Sequence, residues 1–509
     1  MPELTAGRFA RRCGVRFAKL ATWQLTAGAA VAGLALAAGS VAAAGPWDSG
    51  QRTAERERAA ALEDRGGADH GTPASRKDGT DARARKTPAA APSAPSVLAA
   101  LAAPAGTGSA AVPEERALAK VLDPLLNGGS LGAQRTAAVV DAATGKQLYG
   151  KGAGEALTPA STTKIATAVA VLSAAGPDHR ITTRTVLGPG SGKAANVVLV
   201  GGGDPTLTAR KDAKGNASLR TLAEDTARAL KAKGVDTISL RYDTSLYSGP
   251  LVHPIGLNGN IAPVSALMAD EGRLDDSASG PAPRSGDPAA DAARTFAKLL
   301  RDHGIKTEPS DPSSAKAPDR AEELASVQSP TLSALVERML TNSDNDIAEA
   351  LARQTALATG HPASFDGGAK AIHEQLQKLK LPLTGARFAD GSGLNRADRL
   401  SASLLTALLA RAADPDHPEL RPVLTGLPVA GFTGTLRNRY ADVADAPGTG
   451  LVRAKTGTLT GVNTLAGTVV DTDGRLLAFA FLATGTTDPK TAQSTLDRAA
   501  SALAACGCS

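Results

Sequence analysis

Cysteine is scarce: three residues in a chain of 509. Cys13 lies in a basic N-terminal segment, Cys506 and Cys508 stand at the far C-terminus, and the long stretch between them has none. A metal–thiolate cluster or a cysteine nucleophile cannot be assembled there. Cys506-Gly507-Cys508 could close a small disulfide outside the cell, or remain a frayed tail with two free thiols. Aromatic residues make up 3% of the chain, too few for the stacking platforms that hold single-stranded nucleic acid. Seven histidines are scattered through polar stretches with no metal-ligand spacing, so neither a metal nor another cofactor is expected. The formal net charge of +6 invites a nucleic-acid partner, but its distribution removes that reading. Residues 1–112 carry 14 Lys and Arg against 9 Asp and Glu, and the other residues carry 42 against 41. The basicity belongs to the N-terminal tail.

That tail has a recognisable order. Residues 1–20 hold Arg8, Arg11, Arg12, Arg16 and Lys19, and an uncharged run from Ala21 to Ala44 follows. A positive flank, an apolar run and a small-residue end predict an export signal with the remainder of the chain outside the membrane. The small residues Ser40 to Ala44 suit cleavage, while the length of the run suits an uncleaved anchor. Residues 45–112, rich in Ala, Pro, Arg and Asp without apolar periodicity, predict a disordered tether.

Folding is expected from Pro113. Helical spacing covers Glu114 to Leu126, a hairpin Thr136 to Tyr149, and a strong apolar helix Ile165 to Ala175, closed by Gly176-Pro177. Between 181 and 325 short strands such as 196–200 alternate with helices at 219–233 and 288–303, which predicts an inserted α/β-type unit. A helical block follows at 331–359. Three strands at 450–459, 463–470 and 475–484 precede a last helix that Asp488-Pro489 opens. Strands at both ends with helices between them predict an α+β domain, residues 113–180 and 326–509, split by the insert 181–325.

The stretch Pro159-Ala160-Ser161-Thr162-Thr163-Lys164 opens the apolar helix. Ser161 and Lys164, three apart, share one helix face. A serine hydroxyl needs a base, and a lysine can be that base only when desolvation or a nearby cation keeps it neutral. The same spacing recurs at Ser313-Ser314-Ala315-Lys316, in a Pro- and Asp-rich stretch expected to be a loop. No apolar wall would neutralise Lys316, and we set that match aside. Taken alone, Ser161 would read as a helix cap. Ser343-Asp344-Asn345, between two helices, and Lys455-Thr456-Gly457, on a strand, complete an ordered set.

With these motifs the chain resembles the low-molecular-mass penicillin-binding proteins that act as D-alanyl-D-alanine carboxypeptidases and endopeptidases, in the subgroup with a large insert between the first two motifs. Gly201-Gly202-Gly203-Asp204-Pro205-Thr206-Leu207, the run Gln328 to Asn345, Asp390-Gly391-Ser392-Gly393-Leu394 and Gly431-Phe432-Thr433-Gly434-Thr435-Leu436 strengthen the likeness, which covers roughly residues 113–500. The resemblance implies a serine penicillin-recognising fold, with an antiparallel sheet and a helical subdomain. It makes Ser161 the nucleophile, Lys164 its base, and Ser343, with Lys455 nearby, the proton relay to the leaving amine. Asn345 would bind the substrate amide, and Lys455 and Thr456 would face its terminal carboxylate. Gly457 leaves room for close backbone approach. The N–H groups of Ser161 and Thr458 would form an oxyanion hole, worth about 3–4 kcal/mol per donor. Peptidoglycan peptides are the implied substrates and β-lactams the implied covalent inhibitors. Asp344 reads as a helix start, the glycine run as a structural turn, and Asp390 to Gly393 as a loop that shapes the cleft. Two other classes share part of the pattern. A β-lactamase would want a Glu-x-x-Leu-Asn stretch between Asn345 and Lys455, which is absent; a sensor or wall-binding protein could have lost Ser161, Lys164 or Lys455, all present.

Overall fold

The computed structural model describes residues 113–188, 194–442 and 444–508. The expected export segment, the tether and Cys13 lie outside the described residues. Among those described, no helix is long and apolar enough to cross a membrane.

Helix α1 (Glu115–Leu126) buries Leu118, Leu122 and Leu126, one stripe at helical spacing. Strands β1 (Gln134–Asp141) and β2 (Gln147–Lys151) form the expected hairpin, and β3 (Ala156–Leu157) leads to the turn before α2 (Thr163–Ala175). Residues Thr163 to Leu172 are all buried, as befits a helix apolar on every side. The insert supplies β4 (Arg180–Leu187), β5 (Ala195–Val200), α3 (Leu219–Ala232), β6 (Thr237–Asp243), α4 (Pro288–Asp302), β7 (Lys306–Thr307), β8 (Ser313–Ser314) and β9 (Glu323–Thr331). Then come α5 (Leu332–Asn342), α6 (Asn345–Ala358), α7 (Phe365–Lys378), β10 (Leu400–Ser401), α8 (Ala402–Ala413) and α9 (Arg421–Thr425). The chain closes with β11 (Arg453–Leu459), β12 (Val462–Val470), β13 (Leu476–Thr484) and α10 (Pro489–Ala504). Ser218, Asp287, Thr331, Asp344, Ser364 and Ser401 each accept a backbone N–H at the helix they precede, so these starts follow from local sequence.

The main sheet has the order β11-β12-β13-β1-β2 and is antiparallel throughout. Strands from residues 134–151 and 453–484 therefore meet in one sheet, the mixed α+β architecture expected. Its faces differ. Val139, Phe479 and Phe481 point to a core shared with α1 and α10. Ala138, Ala466, Ala478 and Ala480 belong to the other core, where α8 packs on β1, β12 and β13. The period-two alternation explains both, and small residues on the second face let α8 lie close. The insert has its own mixed sheet, β7-β6-β5-β4-β9, with β5, β6 and β7 parallel, and its own core against α3 and α4. Strand β9 continues beyond residue 325 to Thr331, which pairs with Arg180.

Three local expectations change. The Ser313-Ser314 stretch is a two-residue strand against β6 rather than a loop. The reason for discarding it still holds, because Lys316 has an exposed side chain 3.7 Å from Asp319. The C-terminal tail is not frayed. Cys506 and Cys508 are bridged and buried in the α10 core, held where Glu114 N–H donates to the Cys508 carbonyl at 2.8 Å. His253 does not lie in an exposed polar stretch: its side chain is wholly buried, 2.9 Å from Asp390. The glycine run is a turn of close approach: a Cβ on Gly202 would lie 2.0 Å from the Thr182 carbonyl oxygen.

Phe481 is 1% exposed within the α1–α10 core. Phe481→Ala should cost about 3–5 kcal/mol, seen as a lower urea midpoint at unchanged slope.

Candidate active site

Ser161 sits on a short piece of constrained backbone. Ala160 is fully buried with φ of 48°, in the left-handed region that residues with a Cβ seldom occupy. The 3-10 turn Ala160–Thr162 runs straight into α2. Thr162 and Thr163 donate their hydroxyls to the carbonyls of Pro159 (2.7 Å) and Ala160 (2.9 Å). Thr464 of β12 donates to the Pro159 carbonyl from the sheet side at 2.8 Å. Gly457 of β11 presses against the same turn: a Cβ there would stand 2.7 Å from the Pro159 carbonyl oxygen and 2.1 Å from Thr464 Oγ1. The close approach expected at Gly457 is thus used, in this structure, by the chain's own Ser161 turn.

Lys164 lies one turn further along α2 and is completely buried. Its Nζ is 3.1 Å from Ser161 Oγ, 2.7 Å from Asn345 Oδ1 and 2.7 Å from the Ser392 carbonyl oxygen. Burial pushes its pKa down to about 8, against the pull of Asp390, Asp344, Glu349 and Asp398. Lys455 approaches from β11 and is also fully buried. Burial, with the Lys164 charge second, holds it well below the ordinary lysine range. Its Nζ donates to the Thr456 carbonyl at 2.8 Å, and Thr456 Oγ1 donates to Thr435 Oγ1 at 2.9 Å.

Ser343 ends α5 with φ 59° and ψ 39°, a second non-glycine residue held in left-handed backbone beside the cavity. Asp344 starts α6 by accepting Ile347 N–H at 3.0 Å, as expected of a cap. Asn345 follows, with Oδ1 on Lys164 and Nδ2 donating to the Asn260 carbonyl of the insert at 2.9 Å.

These groups surround a two-lobed cavity. One lobe, about 290 Å³, is lined by Ser161, Ser343, Asn345 and Thr458 and by Asn260, Arg273 and Arg284 from the insert. The other, about 300 Å³, is lined by Ser161, Ser343, Thr435, Thr456, Thr458 and Arg439. All eight residues singled out in the sequence meet here, with Lys164, Lys455 and Gly457 packed beneath the surface. Sequence reading placed the Asp390–Gly393 loop at the cleft without the bond from its Ser392 carbonyl to Lys164, and it missed the insert arginines and buried His253 and Glu349. Among the described residues two groups carry metal-type donors, His253–Glu349–Asp390 and Glu271–Asp344–Asp346. The first is already engaged with backbone amides. The second is faced by Arg273, Arg284 and Arg338, which oppose a further cation.

The model of the D-Ala-D-Ala carboxypeptidase 3 (S13) family matches residues 118–283 and 280–503. The chain belongs to the S13 family. It is similar to a carboxypeptidase of Mycobacterium tuberculosis, 40% identical over 382 residues that cover 73% of this chain and 80% of the relative. It is also similar to the carboxypeptidase DacB of Mycolicibacterium smegmatis, 37% identical over 414 residues, 79% of this chain and 86% of that one. In fold it is like penicillin binding protein 4 (dacB) of Haemophilus influenzae, with a TM-score of 0.61 at 22% identity, covering 74% of this chain and 97% of that chain.

In this S13 chain, Gly457→Ala should cost about 1–3 kcal/mol, because a Cβ forces apart β11 and the Ser161 turn. Urea denaturation measures it, and an unchanged midpoint would mean that the turn yields freely.

Proposed function

We propose that this chain is a serine DD-peptidase that cleaves D-Ala-D-Ala bonds of peptidoglycan, in free or cross-linked peptides, through an acyl-enzyme on Ser161. One observation carries the reading. Of the three oxygens around Lys164 Nζ, only Ser161 Oγ has a hydrogen to give. The Ser392 carbonyl can only accept. Asn345 must present Oδ1 to Lys164, because its other amide atom faces the Asn260 carbonyl and has to be the NH₂. A neutral amine with two N–H groups and one lone pair satisfies this arrangement when the lone pair faces the serine hydroxyl. Burial favours that neutral form.

In this scheme Ser161 Oγ attacks the carbonyl carbon of the scissile bond as its proton passes to Lys164 Nζ. The developing oxyanion faces the main-chain N–H groups of Ser161 and Thr458. The C–N bond breaks, and the leaving amine is protonated through Ser343 with Lys455 nearby. Water then releases the acyl group. Lys455 and Thr456 meet the terminal carboxylate in the lobe that Arg439 also lines. Asn345 orients Lys164 and reaches the substrate amide by exchanging its bond to Asn260. A β-lactam offers the same carbonyl in a strained amide and stops at the acyl-enzyme. No cofactor enters the scheme. We further read residues 113–180 and 326–509 as the catalytic domain, 181–325 as the insert, and 21–44 as the membrane anchor of an enzyme that works in the cell envelope.

Benzylpenicillin should add once to the intact protein, and peptide mapping should place the adduct on Ser161. Ser161→Ala and Lys164→Ala should abolish labelling and Lys316→Ala should leave it unchanged; labelling of the Ser161 variant would point to another nucleophile. The acylation rate should rise with pH through about 8 and level off above it, since the base works only when neutral. A rate constant from about pH 6 to 10 would remove Lys164 from that role.

Deleting residues 1–112 should release the protein from the membrane fraction and leave its acylation rate in solution unchanged. A truncated protein that does not fold would move the domain boundary toward the N-terminus.

A further inference from the structure

His253 belongs to the insert, in the long segment between β6 and α4, yet its side chain is wholly buried against the loop that holds Lys164. Its ring meets Phe365 of α7 edge-on, with centroids 5.2 Å apart. Nδ1 accepts the backbone N–H of Ile255 at 3.2 Å. That bond fixes the tautomer, and Nε2 carries the hydrogen that points at Asp390 Oδ2, 2.9 Å away. Asp390 spends its oxygens on a tight loop. Oδ1 accepts from Ser392 N (3.1 Å) and Gly393 N (2.6 Å), and Oδ2 accepts from Asn395 N (2.7 Å). Glu349 of α6 accepts from Gly391 N and Ser392 N on the other side. Together they aim the Ser392 carbonyl, and this carbonyl is one of the two obligate acceptors on Lys164 Nζ.

From the α2 side Thr167 Oγ1 also donates to the Gly391 carbonyl at 2.6 Å, so the His253–Asp390 bond works beside Thr167 and Glu349 in holding the loop. The loop has no regular structure, and Gly393, with φ of 80°, passes so close to the Ser161 turn that a Cβ would lie 2.0 Å from the Ala160 carbonyl oxygen. A small rotation of the 390–393 peptide planes would turn the Ser392 carbonyl off the amine and leave its lone pair free to swing away from Ser161. Burial works against ionising Asp390, but the bonds from His253, Asp398 and the Gly393 amide outweigh it and keep the carboxyl below its usual range. Asp390, Glu349, Arg353 and Asp398 are the titratable groups gathered around this ring and its partner, and burial beside Asp390 pushes Asp398 up to about 10.

We infer that His253 is a positioning residue: through Asp390 it holds the Ser392 carbonyl on Lys164, so the insert takes part in activating Ser161. The inference rests on the serine-peptidase reading above. Its test is acylation of the full chain by benzylpenicillin, with the limiting acylation rate and the preceding binding constant measured separately, for His253→Phe, His253→Gln and His253→Asn. Gln can place an N–H where Nε2 stands; Phe keeps the packing without the donor; Asn has a donor that falls short. The Phe and Asn variants should lose about tenfold or more in the limiting rate, the order expected when a catalytic group is misplaced by an ångström or less. Their binding constants should stay within about twofold and Gln should recover to within about threefold of the parent, on the same scale. A residue needed for folding alone would lower the amount of labelled protein without slowing the fraction that labels. If Phe does not fold, Asn against Gln decides. A donor-less variant that acylates at the parent rate, or Gln as slow as Asn, overturns the inference. Failure of the parent itself to acylate at Ser161 would instead overturn the peptidase reading.

Discussion

An amine wholly out of water is the constraint on which this site is built. A fall in pKa from 10.5 to about 8 corresponds to roughly 3 kcal/mol in favour of the neutral form. Buried carboxylates at Asp390, Asp344, Glu349 and Asp398 act in the opposite sense, so the outcome depends on how completely water is excluded. The apolar run of α2, the alanine face of the main sheet and the helices packed on it all serve that exclusion. The constrained turn at Ala160 and the left-handed Ser343 then place hydroxyls at the edge of the dry region, where a substrate can reach them.

The insert contributes more than a second core. Glu271 lies between Arg273 and Arg338 of α5, and Asp346 of α6 pairs with Arg284 at 2.8 Å. Burial drives Glu271 to about 8 and Asp346 to about 7. Three guanidiniums face these carboxyls and oppose that rise. Such a cluster is costly to assemble and costly to break at one member. It joins the insert to the helix end that carries Ser343 and the helix start that carries Asn345.

How much of this was legible in the sequence depends on the length scale of each signal. The caps at Thr331, Asp344 and Ser401 and the apolar run of α2 are local, and they read directly. The three short motifs read as well, because each holds its chemistry within four residues. The support around Lys164 did not. A carbonyl such as that of Ser392 has no signature in residue type. Glu349 and Arg353, four apart on α6, look like a solvent-facing pair, yet both are buried beneath the site. His253 stands among Pro, Val and Leu with no partner nearby in sequence; Asp390 is 137 residues away. The one usable hint was that the insert segment around it holds no other charged side chain between Asp243 and Asp270, which leaves a lone imidazole needing a distant mate.

The pairing of Arg180 with Thr331 places the chain's departure into the insert beside its return. To the catalytic core, the whole insert looks like the tip of one hairpin. The entropy cost of closing it grows only slowly with its length, by about 0.6 kcal/mol per doubling. A gene could therefore acquire, trim or exchange this unit without redrawing the sheet around it, and the insert could fold after the core has formed. The restraint on such exchange is chemical rather than topological. A replacement would keep the architecture and still have to offer a carbonyl to Asn345, a guanidinium to Asp346 and a donor to Asp390.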